Sequence, residues 1–189
     1  MIFLHMVIIV SEKIKKSTLV SVCGLTTALS VALLFLGGVS YILSYTVPMI
    51  VGIFNIILKQ TFGKTSAWIT FVSTSLISLM LVSDKECAMM YIFCFGYYPI
   101  IQEDINKIKY RGLRVFTKLF IFNLLVALAQ LILVYVFCIP FLEDGDSKVF
   151  ILIFALMMNI IFFFYDIILV RVLFLYKHKF EKHIKRIFR

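Results

Sequence analysis

Charged residues are scarce in this sequence, at 15% of the chain against 62% hydrophobic residues. The longest stretch without any Asp, Glu, Lys or Arg runs from Ser17 to Leu58. No soluble domain needs such a stretch, and one straight helix of it would reach about 60 Å, twice the hydrocarbon core of about 30 Å. We therefore expect an integral membrane protein, surrounded by membrane lipid, whose first two spans fold back near Gly37, Gly38 and Pro48.

Residues that enzymes use for metal and nucleophile chemistry are also few. The three histidines, His5, His178 and His183, lie in the terminal segments, and the four cysteines lack a metal-binding spacing. There is no HExxH, GxSxG or Walker loop. We therefore expect no enzyme, no catalytic residue, no metal site and no cofactor, and any active transport needs a partner's energy. Cys87 and Cys138 are predicted near one membrane face, where a disulfide between them is one possibility.

Basic residues outnumber acidic ones, and their distribution predicts the topology. The net charge is +9, but a basic patch for nucleic acid needs a soluble surface, so no nucleic-acid partner is expected. Lys and Arg concentrate in cytoplasmic loops of membrane proteins. With the N-terminus inside, all of the 19 Lys and Arg residues except Lys85 and Lys148 fall on the cytoplasmic side. This predicts an all-α bundle of six transmembrane helices with both termini cytoplasmic, in a bacterial plasma membrane.

The predicted spans make residues 1–189 a single transmembrane domain. Their limits are 18–36, 47–58, 66–82, 87–101, 119–141 and 149–175. Residues 1–16 begin with an apolar run too short to span, followed by charge, so we predict an N-terminal interfacial segment. Residues 176–189 place apolar side chains between basic ones, which is typical of a cytoplasmic tail on the membrane surface.

Asp166 is the ionisable residue that lies clearly inside a predicted span, which makes it a functional candidate. It either acts as a proton or cation relay or partner contact, or it pairs with Arg171 or an inner-loop lysine, and we favour pairing. Uncharged polar residues of the spans are expected to hydrogen-bond between helices: Asn55, Asn123, Gln130 and Asn159. The Ser and Thr residues between positions 66 and 78 repeat at helical spacing, which favours packing over ligand binding.

A glycine–proline break ends the fourth predicted span. Gly96 permits close packing, and Pro99 bends or ends the helix. Tyr97 and Tyr98 between them are predicted to anchor the bend among lipid headgroups. The basic residues at positions 107–114 follow the break. We interpret this segment as structural; the alternative is that these cations bind anionic lipid or an acidic partner.

Small residues one turn apart in the first span, Ala28 and Ala32, offer a flat strip to another helix. With six short spans, cytoplasmic ends and no ATPase motif, the chain resembles the substrate-binding S components of energy-coupling factor (ECF) transporters. The resemblance covers the architecture of most of the chain and one short motif. It implies a vitamin or metal-ion solute captured from outside, a transmembrane coupling protein that contacts Ala28 and Ala32, and two ATPases that supply energy.

By the same resemblance, the solute pocket lies near the outer helix ends. The candidate substrate-binding residues there, chosen by predicted depth and chemistry, are Tyr41, Tyr45, Asp84, Lys85 and Glu86. No signature for riboflavin, thiamine, biotin or folate is present, and His5 does not match the N-terminal histidine arrangement of nickel or cobalt versions. The alternative is a non-transport membrane protein, namely an assembly, immunity or regulatory factor that acts through its basic cytoplasmic face.

Overall fold

The structure, a computed structural model, describes the backbone of residues 2–39, 43–138, 148–176 and 178, and the side chains of 17–39, 43–138, 151–176 and 178. Within these ranges the chain is all-helical and contains no strand, as predicted. The helices are α1 (Ile2–Gly37), α2 (Leu43–Phe62), α3 (Lys64–Leu81), α4 (Lys85–Met89), α5 (Tyr98–Asn106), α6 (Arg111–Tyr135) and α7 (Lys148–Leu175). A π-helical turn, Met90–Phe95, continues α4 towards α5.

Four segments of the described helices are long and apolar enough to cross a membrane: Ser17–Gly37, Leu43–Phe62, Arg111–Tyr135 and Ile151–Leu175. They support the prediction of a multi-pass membrane protein. Helix α2 is longer than the second predicted span, because it begins at Leu43 and ends at Phe62. The remaining two predicted spans correspond to α3 and to the segment from α4 to α5.

The sequence also makes predictions for the N-terminal segment, the C-terminal tail and two cysteines. Residues 2–16 are helical and continue directly into the candidate membrane segment Ser17–Gly37, as one helix. The predicted tail, residues 176–189, lies outside the described residues except for positions 176 and 178. Cys87 is buried and Cys138 is exposed, and both are free thiols, so no disulfide joins them.

Helix α7 has a narrow buried face and a wide exposed face. Its buried side chains repeat every three or four residues: Met158, Phe162, Tyr165 and Leu169. Between them lie large exposed side chains such as Leu152, Phe163 and Phe174, each more than 60% exposed. So much exposed apolar surface is unfavourable in water and suits hydrocarbon. The narrow buried stripe therefore packs the bundle, while the exposed remainder of the helix suits a lipid environment.

A break in the helical segment from α4 to α5 lies at the centre of the molecule. Pro99 has no N–H, so the carbonyl of Phe95 lacks the helical donor four residues on. The N–H of Gly96 bonds to the carbonyl of Tyr91 at 2.7 Å, an i to i+5 link that widens the helix into the π-turn. The predicted bend at Gly96 and Pro99 is confirmed, and residues 94–100 are all buried.

Side chains of α2 and α7 satisfy the carbonyls at the break. The hydroxyl of Tyr165 donates to the carbonyl of Phe95 at 2.9 Å. The Nδ2 of Asn55 donates to the carbonyl of Gly96 at 2.8 Å and to the hydroxyl of Tyr91 at 3.1 Å. A buried carbonyl without a donor is costly, most of all where no water is present. These bonds therefore tie α2 and α7 to the bent segment.

The two tyrosines of the break face the protein interior. Tyr97 is 9% exposed and Tyr98 is 1% exposed. The ring of Tyr98 packs edge-on against that of Phe162, with centroids 4.8 Å apart. The prediction that both tyrosines anchor the bend among lipid headgroups is therefore wrong, because headgroup contact needs rings that reach the outer surface of the bundle.

Gly52 of α2 lies against the break, and we expect a side chain there to destabilise the fold. A Cβ at this position would meet the carbonyl oxygen of Phe95 at 2.5 Å and the hydroxyl of Tyr165. Gly52→Ala should therefore lower the free energy of unfolding by about 1–3 kcal/mol, measured by thermal unfolding in detergent. Gly24→Ala is the matched control, because no atom of another helix lies within 4 Å of a Cβ at that position. Equal losses of stability in both variants would contradict this packing.

A reciprocal pair of side-chain amides joins α6 and α7. The Nδ2 of Asn123 donates to the Oδ1 of Asn159 at 2.9 Å, and the return bond has the same length. Each amide also donates to a carbonyl of its own helix, at Leu119 and Ala155. The pair thus satisfies both amides, and for these two asparagines the expected hydrogen bonding between helices is confirmed.

Replacing one of these asparagines should cost more than replacing both. Asn123→Leu leaves the amide of Asn159 without its partner, so we expect a loss of about 0.6–2 kcal/mol in the free energy of unfolding. The double variant, with leucine at both positions, should recover most of that loss because neither amide then remains. Thermal unfolding of the three proteins in one detergent measures this. A double variant less stable than the single one would contradict the pairing.

Candidate functional site

Three of the five residues predicted to bind solute come together where α2 and α4 begin. The hydroxyl of Tyr45 donates to the Oε1 of Glu86 at 2.8 Å. Beside it, the hydroxyl of Ser44 donates to the Oδ2 of Asp84 at 2.6 Å. The Oδ1 of Asp84 accepts the backbone N–H of Glu86 at 2.9 Å and so caps α4. We call these four residues the α2–α4 cluster.

Lys85, the fourth residue predicted to bind solute, has different partners from those of this cluster. The Nζ of Lys85 donates to the carbonyls of Leu79 and Val82, at 3.0 and 2.8 Å, where α3 ends. A cation is favourable there because the last carbonyls of a helix carry partial negative charge. Lys85 therefore caps α3. Tyr41 lies outside the described residues.

The α2–α4 cluster is rich in hydrogen-bond acceptors. Its two carboxylates accept bonds from Ser44, Tyr45 and the start of α4. A solute that carries a cation or a hydroxyl would bind here by displacing one of the two hydroxyl donors. Among the described residues, no group of three or more His, Cys, Asp or Glu side chains is placed to hold a metal ion.

The sequence did not single out Ser44, because its partner Asp84 lies 40 residues further along the chain.

Gly38 lies close to this cluster, where its lack of a side chain allows tight packing. A Cβ on Gly38 would meet the Cβ of Asp84 at 3.1 Å and the Cγ1 of Val82 at 3.2 Å. The glycine therefore allows the corner after α1 to pack closely against the turn before α4.

The two alanines predicted to contact a coupling protein lie on the exposed side of α1. Gly24 precedes Ala28 by four residues and is also exposed. We call Gly24, Ala28 and Ala32 the α1 strip. The same helix buries a different set of side chains against α2 and α3: Cys23, Thr27, Ser30, Val31 and Leu34. Ala28 also lines a groove of about 560 Å³ between α1 and α3.

Asp166 of α7 is paired with Lys118 of α6. The Nζ of Lys118 lies 2.7 Å from Oδ2 and 2.9 Å from Oδ1 of the carboxylate. Two side chains of α5, Tyr98 and Gln102, donate to the same Oδ1 at 2.5 and 2.6 Å. Of the pairing partners considered from the sequence, the structure shows a basic residue near the inner loop and not Arg171. A carboxylate of α7 that is held by side chains of α5 and α6 fits a structural role better than a relay.

The sequence indicated an inner-loop lysine as a partner of Asp166 without singling out Lys118. It did not indicate the other two partners, Tyr98 and Gln102. The fifth predicted span began at position 119, which left Lys118 in a loop, but α6 begins at Arg111 and Lys118 is only 8% exposed. Tyr98 and Gln102 lie one turn apart on α5, so they share a face. The sequence spacing of these two residues already indicates a shared polar partner, because a polar residue one turn from a tyrosine can reach the same neighbouring group.

Removing one member of this ion pair should destabilise the protein strongly. Asp166→Ala leaves the ammonium of Lys118 buried without its counter-ion, so we expect a loss of about 3–5 kcal/mol in the free energy of unfolding. The double variant K118M/D166L removes both charges and should recover most of that loss. Thermal unfolding in detergent measures both.

The control for this experiment is Arg171→Gln. Arg171 is exposed, and among the described residues it forms no ion pair. We therefore expect its replacement to leave the unfolding temperature unchanged. A loss in Arg171→Gln as large as that in Asp166→Ala would contradict the assignment of Lys118 as the partner.

A second set of ion pairs connects α5 to the end of α2 and the start of α3. Lys59 lies 2.6 Å from Glu103, and Lys64 lies 2.6 Å from Asp104. Lys107 lies 2.7 Å from Asp104 as well. Hydrogen bonds from Lys107 and Lys64 hold the pKa of Asp104 below its usual range, and Asp104 raises the pKa of Lys107. The end of α5 is thereby fixed against the end of α2 and the start of α3.

Comparison with known proteins found no matching family model, no similar curated protein and no similar solved structure.

Proposed function

We propose that the chain crosses a membrane six times, with both termini in the cytoplasm. Helices α1, α2, α3, α6 and α7 account for five crossings, and the bent segment from α4 to α5 accounts for the other. The hydrogen bond between Tyr45 and Glu86 joins the starts of α2 and α4 at one end of the bundle. The ion pair between Lys59 and Glu103 joins the ends of α2 and α5 at the other end. These contacts at opposite ends of α2 support the topology, and the concentration of Lys and Arg at the second end supports its assignment to the cytoplasm.

We propose further that the chain is the solute-binding subunit of an ECF-type uptake transporter. The observation that supports it is the exposure of the α1 strip. Ala28 and Ala32 are exposed, and Gly24, which is also exposed, extends the strip by one turn. Small residues allow two helices in a membrane to approach closely. The strip therefore offers a contact surface to a transmembrane coupling protein, whose ATPase partners supply the energy.

The proposed solute site is the α2–α4 cluster, at the outer end of the bundle. A vitamin-like solute with a cationic or hydroxyl group would replace the hydrogen bonds that Tyr45 and Ser44 give to Glu86 and Asp84. The exchange leaves no carboxylate without a donor, which limits its cost. On this proposal the chain binds and releases solute, and its ATPase partners supply the energy for transport.

The alternative is a non-transport membrane factor that acts through the basic cytoplasmic face. Exposed cations between α5 and α6, such as Lys109 and Arg111, favour this candidate. Such a factor forms a complex with some other protein and holds no small solute. The two candidates therefore differ in which proteins accompany the purified chain.

Co-purification tests the transporter proposal. Replacing Ala28 and Ala32 together by leucine should abolish recovery of the coupling protein and ATPases, because the larger side chains separate the two helices. The amount and unfolding temperature of the subunit should stay unchanged, since both positions are exposed. Ala127→Leu is the control, because it enlarges an exposed alanine on α6.

Recovery of an intact complex from the double leucine variant would contradict the assignment of the α1 strip. Recovery of a different protein with the wild-type chain, without ATPases, would contradict the transporter proposal and support the non-transport factor.

A further inference from the structure

A pocket with a basic lining opens between α6 and α7, beside the ion pair of Asp166. Its volume is about 470 Å³, which is within the range of small-molecule sites. Its charged lining consists of Arg111, Arg114, Lys118 and Asp166. The two arginines lie in the first turn of α6, and Lys118 lies deeper along the same helix. The pocket therefore extends inward from the proposed cytoplasmic end of the bundle.

The charges around this pocket favour an anion. Three cations face one carboxylate, and Lys118 already neutralises that carboxylate at 2.7 Å. Among the described residues, neither Arg111 nor Arg114 lies within ion-pair distance of a carboxylate. A bond from the Nη1 of Arg114 to the carbonyl of Asn106, at 3.3 Å, restrains one of the two guanidinium groups. The pocket thus carries two guanidinium charges that an anion from outside the chain can neutralise.

The walls of the pocket indicate what kind of molecule carries the anion. Phe163 and Val170 of α7 line it, and these side chains are 62% and 46% exposed. Both lie on a helix that is long and apolar enough to cross a membrane, so the walls continue into the lipid-facing surface. A small free anion gains nothing from such walls, whereas an acyl chain buries apolar surface against them.

We propose that this pocket binds the phosphate of an anionic phospholipid between Arg111 and Arg114, with an acyl chain along Phe163 and Val170. Guanidinium groups bind phosphate through paired hydrogen bonds, and basic pockets between membrane helices on the cytoplasmic side suit anionic lipid headgroups. Among the basic residues at positions 107–114, Lys107 already forms an ion pair with Asp104. The two arginines form no ion pair among the described residues, so they are the residues assigned to the phosphate. The inference goes beyond the proposed transport function and does not depend on it.

Lipid titration tests the site. The purified full-length protein in a neutral detergent is titrated with short-chain phosphatidylglycerol, short-chain phosphatidylcholine or inorganic phosphate, and its unfolding temperature is followed. We expect saturable stabilisation by phosphatidylglycerol and none by the other two. Equal stabilisation by inorganic phosphate would overturn the lipid assignment in favour of a free anion. Equal stabilisation by phosphatidylcholine would overturn the requirement for negative charge.

Variants locate the effect in the pocket. R111Q/R114Q should raise the phosphatidylglycerol concentration for half-maximal stabilisation about 10-fold to 30-fold, since each basic residue contributes about 1 kcal/mol to the attraction of anionic lipid. The matched control is K109Q/R171Q, which removes the same charge from residues outside the lining. An equal shift in the control would show a general charge effect and overturn the site.

Cross-linking of the unmodified protein gives an answer that does not depend on the folding of any variant. A photoreactive phosphatidylglycerol is incorporated with the protein into phosphatidylcholine nanodiscs, and the labelled peptides are mapped by mass spectrometry. Labels concentrated on residues 111–119 and 162–170 support the pocket. Labels spread evenly over the lipid-facing helices, or concentrated elsewhere, would overturn it.

Discussion

The missing N–H of Pro99 is the constraint on which the rest of the structure depends. It deprives the carbonyl of Phe95 of its helical donor, and the interior of a membrane bundle has no water to replace it. Tyr165 of α7 supplies the donor, and Asn55 of α2 bonds to the next carbonyl. The bend therefore determines where two of the long helices pack. It also directs α5 towards α7, where it completes the surroundings of Asp166.

Polar contacts hold the bent segment to its neighbours, but α1 is attached differently. It packs on α2, α3 and α4 mainly through small and apolar side chains, and the hydroxyls of Thr26 and Thr27 bond back to carbonyls of α1 itself at 2.8 Å. The thiol of Cys87 on α4 bonds to the carbonyl of Leu34 at 3.7 Å, on the buried side of the helix. A helix attached in this way can accept a partner on its outer side without breaking a polar bond. The α1 strip is therefore available for a partner, while the contacts of the α2–α4 cluster lie among other helices of the bundle.

The features that depend on local sequence were predictable. Charge-free length indicated the membrane helices, and the Gly–Pro spacing indicated the bend. Contacts between distant segments were not predictable in the same way. Lys118 and Asp166 lie 48 residues apart, and their pairing depends on α6 beginning earlier than hydropathy suggested. Likewise, the inward orientation of Tyr98 depends on the direction of the bend, which packing against α7 determines.

Native mass spectrometry of the wild-type protein, released from its own membrane in mild detergent, tests the proposed function most directly. One spectrum reports the bound protein subunits and any retained solute together. The transporter proposal predicts a complex of this chain with a coupling protein and two ATPases, and a small-molecule mass on the solute-binding subunit. A chain that appears without ATPases and without solute, bound instead to an unrelated protein, would contradict the proposal.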